Sequence, residues 1–107
     1  MDSFDRRKDG FERKFAHDEE LKFKATARRN RLLGRWAAEK LGLTGAEAEA
    51  YARDVVNADF AAPGDQDVFG KLRSDFDAGK VTISDHQIRR TMEELLAQAV
   101  EQIQAER

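Results

Sequence analysis

A chain of 107 residues, 40% hydrophobic and 37% charged, is long enough for one domain and too polar for a large core. It contains no cysteine, which excludes a disulfide framework and thiolate chemistry and fits a reducing compartment. The net charge of -2 is small but unevenly distributed: Lys22, Lys24, Arg28, Arg29, Arg31 and Arg35 follow one another without an acid, and Glu47, Glu49, Asp54, Asp59, Asp65, Asp67, Asp75 and Asp77 gather downstream.

Residues 1–17 come first and stand apart from the rest of the chain. Phe4, Phe11 and Phe15 are set among Asp2, Asp5, Arg6, Arg7, Lys8, Asp9, Glu12, Arg13 and Lys14. The segment lacks the apolar run of about 7 to 15 residues that an export signal needs, so no export is expected. At about 100° per residue, positions 4, 11 and 15 fall within roughly 40° of each other on a helix, so the three rings would share one face. Gly10 costs on the order of 1 kcal/mol of helix propensity, and a segment this short is marginal alone; a mobile arm, largely unfolded when free, is therefore expected. Two roles are open to it: a helix that inserts its rings into a partner's hydrophobic groove, or an extension of the first helix packed on its own bundle.

Residues 18–107 read as one helical domain. The first helix is expected over about residues 18–41, with Asp18 capping its start, Glu19 and Glu20 complementing the dipole and Gly42 supplying a left-handed C-terminal cap. Leu21, Ala25, Leu32, Leu33 and Trp36 form its apolar face. A second helix over residues 44–60 opens on Thr44 and Glu47, which have the spacing of a capping box, and stops before Pro63 and Gly64. Its stripe is Ala48, Tyr51, Ala52, Val55 and Val56. A third over residues 65–78 presents Val68, Phe69, Leu72 and Phe76 and ends at Gly79. The last, over residues 84–105, is capped by Ser84 with Gln87 and carries the clearest stripe: Ile88, Met92, Leu95, Leu96, Ala99 and Ile103. Connections of a few residues lay successive helices side by side in antiparallel fashion, so the expected fold is an all-α four-helix bundle with a flexible N-terminal arm. No segment approaches the roughly 20 apolar residues of a membrane span.

Catalytic and metal chemistry is not legible in the chain. His17 and His86 are poorly accompanied for a zinc site, which wants four ligands. No Gly-rich phosphate loop is present, and Ser3, Ser74 and Ser84 lack a histidine and an acid at recognisable spacing. Glu93 and Glu94 point to different helix faces. The expectation is a protein that binds through helices and is not an enzyme. The basic run of the first helix has two readings: a solvated face paired with the acidic second and third helices, or an anion-binding surface. A net negative charge and a single Trp argue against a dedicated nucleic-acid binder.

Five runs carry a resemblance: FERKFAHD at 11–18, FKATARRNRLLGRWAAEKLG at 23–42, YARDVVNADF at 51–60, DQDVF at 65–69 and SDHQIRR at 84–90. Together the chain resembles the zeta subunit of the F-type ATP synthase of alpha-proteobacteria, an inhibitory family first catalogued as a domain of unknown function. The resemblance implies a cytoplasmic protein, peripheral to the inner membrane through the ATP synthase and monomeric when free. Its arm would fold as a helix in a catalytic interface between alpha and beta subunits near the gamma rotor and block hydrolytic rotation. On periodicity, Phe4, Phe11 and Phe15 would be the buried anchors, and Arg6, Arg7, Arg13 and Lys14 the rim or gamma-facing charges. The resemblance also implies binding of ATP or ADP by the bundle; the cationic first helix is the obvious phosphate partner, and Arg28, Arg29 and Arg31 are the residues expected to supply it. Family arms often read Phe-Asp-Asp-Arg-Glu followed by Ala-Phe-Glu; this chain has Phe4-Asp5-Arg6-Arg7-Lys8-Asp9-Gly10-Phe11, which adds positive charge and a glycine.

Overall fold

A computed structural model describes residues 19–59 and 65–106. The arm at residues 1–17, the cap at Asp18 and the end of the second helix at residue 60 lie outside them. Among the described residues there are four helices and no strand: α1 (Glu19–Lys40), α2 (Gly45–Ala58), α3 (Gln66–Ala78) and α4 (Asp85–Ala105). The expected elements are all present, with bounds that differ by one or two residues.

The helix ends show which local signals act. At the end of α1, Gly42 takes φ +79°, and the N–H groups of Leu43 and Gly42 reach the carbonyls of Ala38 and Glu39 at 2.9 and 3.1 Å. This is a Schellman cap, and it satisfies carbonyls the helix would otherwise leave orphaned. At α2 the expected capping box does not form: the Thr44 side chain makes no cap hydrogen bond. Such a cap needs helical dihedrals from the first residue onward, and Gly45 has φ +56°. The α3 end is capped where expected. Gly79 is the C-cap residue, but the left-handed turn falls one residue later on Lys80 (φ +58°), with Val81 N–H on Phe76 O at 2.8 Å. Ser84 does cap α4, its Oγ accepting the Gln87 N–H at 3.1 Å.

Helix α1 is the hub and packs along both α2 and α4, while α3 touches α2 and α4 over shorter stretches. Leu33, Ala37, Val55, Val68, Leu72, Phe76, Ile83, Ile88 and Met92 form the main core, edged by Trp36, which meets Phe76 edge-on with ring centres 5.7 Å apart. A second, smaller cluster joins Leu21 and Ala25 to Ile103 and Val100. Along α1 the two are separated by Arg29 and Asn30, both buried. The expected stripes hold in outline, but Leu32 and Trp36 are half-buried and Leu96 is exposed. Ile83, in the α3–α4 connection, is buried unannounced by any period. That connection is pinned by Arg73, which donates to Ile83 O at 2.7 Å, Asp85 at 2.9 Å and Asp77 at 2.7 Å.

Where α1 crosses α2 the backbones nearly touch: a Cβ on Gly34 would stand 2.6 Å from Ala52 Cα. Gly34→Ala must therefore push the helices apart, an overpacking cost of about 1 to 3 kcal/mol against at most about 1 kcal/mol regained in helix propensity. Gly70, inside α3, has nothing within 4 Å of the corresponding position. Gly70→Ala is expected to stabilise by about 0.4 to 1 kcal/mol. Urea melts of the two variants should move in opposite directions.

Candidate functional site

The anchors expected in the arm, Phe4, Phe11 and Phe15, and its charges Arg6, Arg7, Arg13 and Lys14, all lie outside the described residues. Of the three arginines expected to meet phosphate, the structure brings two together and sends the third elsewhere.

Arg28 and Arg31 line an open groove of about 760 Å³ on the outward side of the N-terminal half of α1. Its apolar lining comes from Leu21, Phe23 and Ala27 of α1, Val56 of α2 and Ile103 of α4. Four cations surround it, Lys24, Arg28, Arg31 and Arg53, and so do three acids, Glu20, Glu49 and Glu106. Helical spacing explains the α1 members, since residues 20, 24, 27, 28 and 31 share a face. Most of the cations are already engaged. Lys24 meets Glu20 at 3.1 Å within the helix, and Arg31 meets Glu49 of α2 at 3.7 Å. Glu49 also holds Arg35 at 3.2 Å. Arg28 grips Glu106, just past the end of α4, donating from Nη1 and Nη2 to its two carboxylate oxygens. The hydrogen bonds from Arg28 hold the Glu106 carboxyl below the usual glutamate range, and the same bonds raise Arg28.

Arg29 is on another face. Its side chain is only 3% exposed; Nη2 donates to Asp65 at 2.6 Å and Nε to Asn30 Oδ1 at 2.7 Å. A guanidinium so enclosed fastens the start of α3 to the middle of α1, and it is not offered to a ligand. The Nδ2 of Asn30 is buried without a hydrogen-bond partner among the described residues. On the α2–α3 side, Tyr51 donates to Asp75 Oδ2 at 2.8 Å, an oxygen that Lys71 also reaches at 3.1 Å. Burial first, and that hydrogen bond second, push the Tyr51 phenol well above its ordinary value and keep it a neutral donor.

The expected pairing of the basic run with the second and third helices is therefore met by Glu49 and Asp65. Glu106 was missed: it lies 78 residues from Arg28, and no local pattern links them. Arg53 was missed because it reads as one more solvated charge on α2. Among the described residues no group of three His, Asp or Glu side chains could hold a metal, and no helix is long and apolar enough to cross a membrane.

Fold and groove together define a small all-α protein with an open, charge-lined groove among its described residues. A comparison with curated proteins returns no match. A solved solution NMR structure is 44% identical to the chain, covering 81% of this chain and 99% of its own, with a TM-score of 0.72. The chain belongs to the ATPase inhibitor subunit zeta family, whose profile matches residues 1–102. A regulatory subunit of an ATPase is thus its class.

The Arg29–Asp65 pair gives the site its testable point. Asp65→Asn leaves a buried guanidinium without its counter-charge, and with Asp65 itself 58% exposed the loss is expected near the lower end of the range for such groups, about 1 to 3 kcal/mol. Glu94→Gln, which removes an exposed partner of Arg90, should stay within about 0.5 kcal/mol of the parent in the same denaturant melt.

Proposed function

We propose that the chain inhibits ATP hydrolysis by the F-type ATP synthase, with residues 1–17 inserting as a helix into an alpha/beta catalytic interface near the gamma rotor. The observation that carries this reading is the family match, which spans residues 1–102 and so includes the aromatic segment as well as the bundle. The physics of the segment agrees with it. Burying one Phe is worth about 1.5 to 3 kcal/mol, so three anchors exceed an ordering cost of about 2 to 5 kcal/mol. Phe4, Phe11 and Phe15 enter the interface, while Arg6, Arg7, Arg13 and Lys14 meet its rim or gamma. In this role the chain performs no chemistry of its own and needs no cofactor. It acts as a monomer held to the membrane only through the synthase.

The bundle is the rigid mount in this scheme. An inserted helix resists rotation only if the domain attached to it cannot simply be drawn along, and α1 leads from the segment into the packed core.

Adding the intact chain to a purified alpha/beta/gamma head is expected to lower ATP hydrolysis. Phe11→Ala should weaken that inhibition about 10- to 100-fold, the equivalent of one lost ring. Replacing Phe4, Phe11 and Phe15 together by Ser should abolish it. Hydrolysis unchanged by the intact chain would remove the reading.

The groove favours a second, compatible reading: binding of an adenine nucleotide by the bundle, with Arg28 and Arg31 toward the phosphates. A groove of about 760 Å³ lies within the usual range for small-molecule sites, roughly 300 to 1,000 Å³. Arg29, enclosed against Asp65, has no part in it. On addition of ADP the amide signals of Lys24, Arg28, Arg31 and Arg53 should shift while those of α3 stay in place; shifts confined to other surfaces would eliminate this site.

A further inference from the structure

The cations of the groove are not waiting empty-handed. Three of the four hold a carboxylate of the chain itself, and these three carboxylates differ in how readily they let go. Glu20 sits one turn before Lys24 on the same helix, so its departure frees little. Glu49 is shared between Arg31 and Arg35, lies closer to Arg35, and keeps that partner if Arg31 turns to something else. Glu106 is the one that matters. It lies past the last residue of α4, its side chain is 59% exposed, and it presents two oxygens to the two terminal nitrogens of Arg28.

That fork-on-fork geometry is the one in which an arginine receives two oxygens of a phosphate. The acidified carboxyl of Glu106 stays ionised at neutral pH and so keeps the position filled. We propose that Glu106 is a built-in competitor for the groove: in the free chain it occupies the anion position on Arg28, and a phosphate-bearing ligand binds by displacing it. The inference rests on the nucleotide reading of the groove and adds its regulation.

The exchange has a mechanical consequence. The Arg28–Glu106 pair ties the end of α4 to α1 beside the small Leu21–Ala25–Ile103 cluster, so occupation of Arg28 by a ligand also releases that tie. Arg53, which borders the groove and has no ion-pair partner among the described residues, offers the incoming anion a contact that no internal acid contests. Binding is therefore coupled to loosening at the end of the bundle where α1 begins.

The test uses the full chain, its Glu106→Gln and Arg28→Gln variants, and two probes, ADP and inorganic pyrophosphate, followed by amide and side-chain NMR. Glu106→Gln is isosteric and exposed, so an unchanged spectrum elsewhere verifies the fold. It should bind ADP up to about fivefold more tightly than the parent, the scale set by an exposed ion pair. Arg28→Gln should bind at least severalfold more weakly than the parent. In the parent, saturation should move the Glu106 signals to the positions they take in Arg28→Gln. Pyrophosphate producing the same Glu106 displacement assigns the competition to phosphate rather than to the base. Equal ADP affinity of parent and Glu106→Gln, with groove amides shifting in both, would overturn the competitor and leave the nucleotide reading intact. Absence of groove shifts in all three proteins, with either probe, overturns both.

Discussion

The bundle depends on the contact between Gly34 and Ala52, where a helix backbone comes close enough that a single added carbon would meet the neighbouring Cα at 2.6 Å. Close approach of this kind fixes the distance between α1 and α2 and the rotation of each about its axis, because any other rotation would bring a larger side chain to the crossing. Once that is fixed, Glu49, three residues before Ala52, falls beside Arg31 and Arg35, and Val56 and Arg53, one to four residues beyond it, fall at the groove. The groove is thus the outer consequence of an inner contact. Its residues are distant in sequence, yet their placement follows from a glycine that shows no chemistry at all.

The two halves of α1 are supported unequally. From Leu33 onward it is covered by large side chains of all three other helices, Phe76 and Leu72 among them. Before Arg29 its support is a small cluster of Leu21, Ala25, Ile103 and Val100, plus ion pairs that in exposed positions contribute little. The buried Arg29–Asn30 pair lies at the junction, held to Asp65. A helix built this way has a firm half and a half attached by a smaller apolar cluster. The lightly attached half is the one that leads back to residues 1–18. For a chain proposed to act through its leading segment, this puts the adjustable part of the bundle next to the acting part.

Much of the fold was legible because it is written in period and punctuation. Four apolar stripes, Gly42 and Ser84 are local signals, and each produced the element it announced. The failure at the start of α2 was also local in origin. Thr44 and Glu47 have the right spacing for a capping box, but Gly45 takes a positive φ and the box cannot close. Gly79, by contrast, is the cap it was expected to be, and the left-handed residue that follows it is Lys80. The groove was legible only in half. A cationic face on α1 is visible in the composition of residues 21–38, but which of its arginines turns inward depends on where α3 begins. Arg29 becomes a buried strut because Asp65 stands opposite it, and neither the run of charges nor its spacing distinguishes Arg29 from Arg28. The role of Glu106 was beyond reach, being a tertiary contact between the ends of the described chain.

Pairing the groove's arginines with internal acids also answers a difficulty raised by the charge pattern. Six cations without an intervening acid, left bare, would attract any polyanion, nucleic acid included, through counterion release that asks for no shape. With Arg28, Arg29, Arg31 and Arg35 each facing a carboxylate, the long-range field is largely cancelled at home. A diffuse phosphate backbone gains little where each phosphate must first displace a carboxylate already paired with the arginine. In the proposed nucleotide reading, the ligand that gains is one that brings closely spaced phosphate oxygens to Arg28 and Arg53 at once and has a face to set against Val56 and Ile103. Internal pairing converts a non-selective attraction into a competition, and a competition can be won only by a ligand that fits.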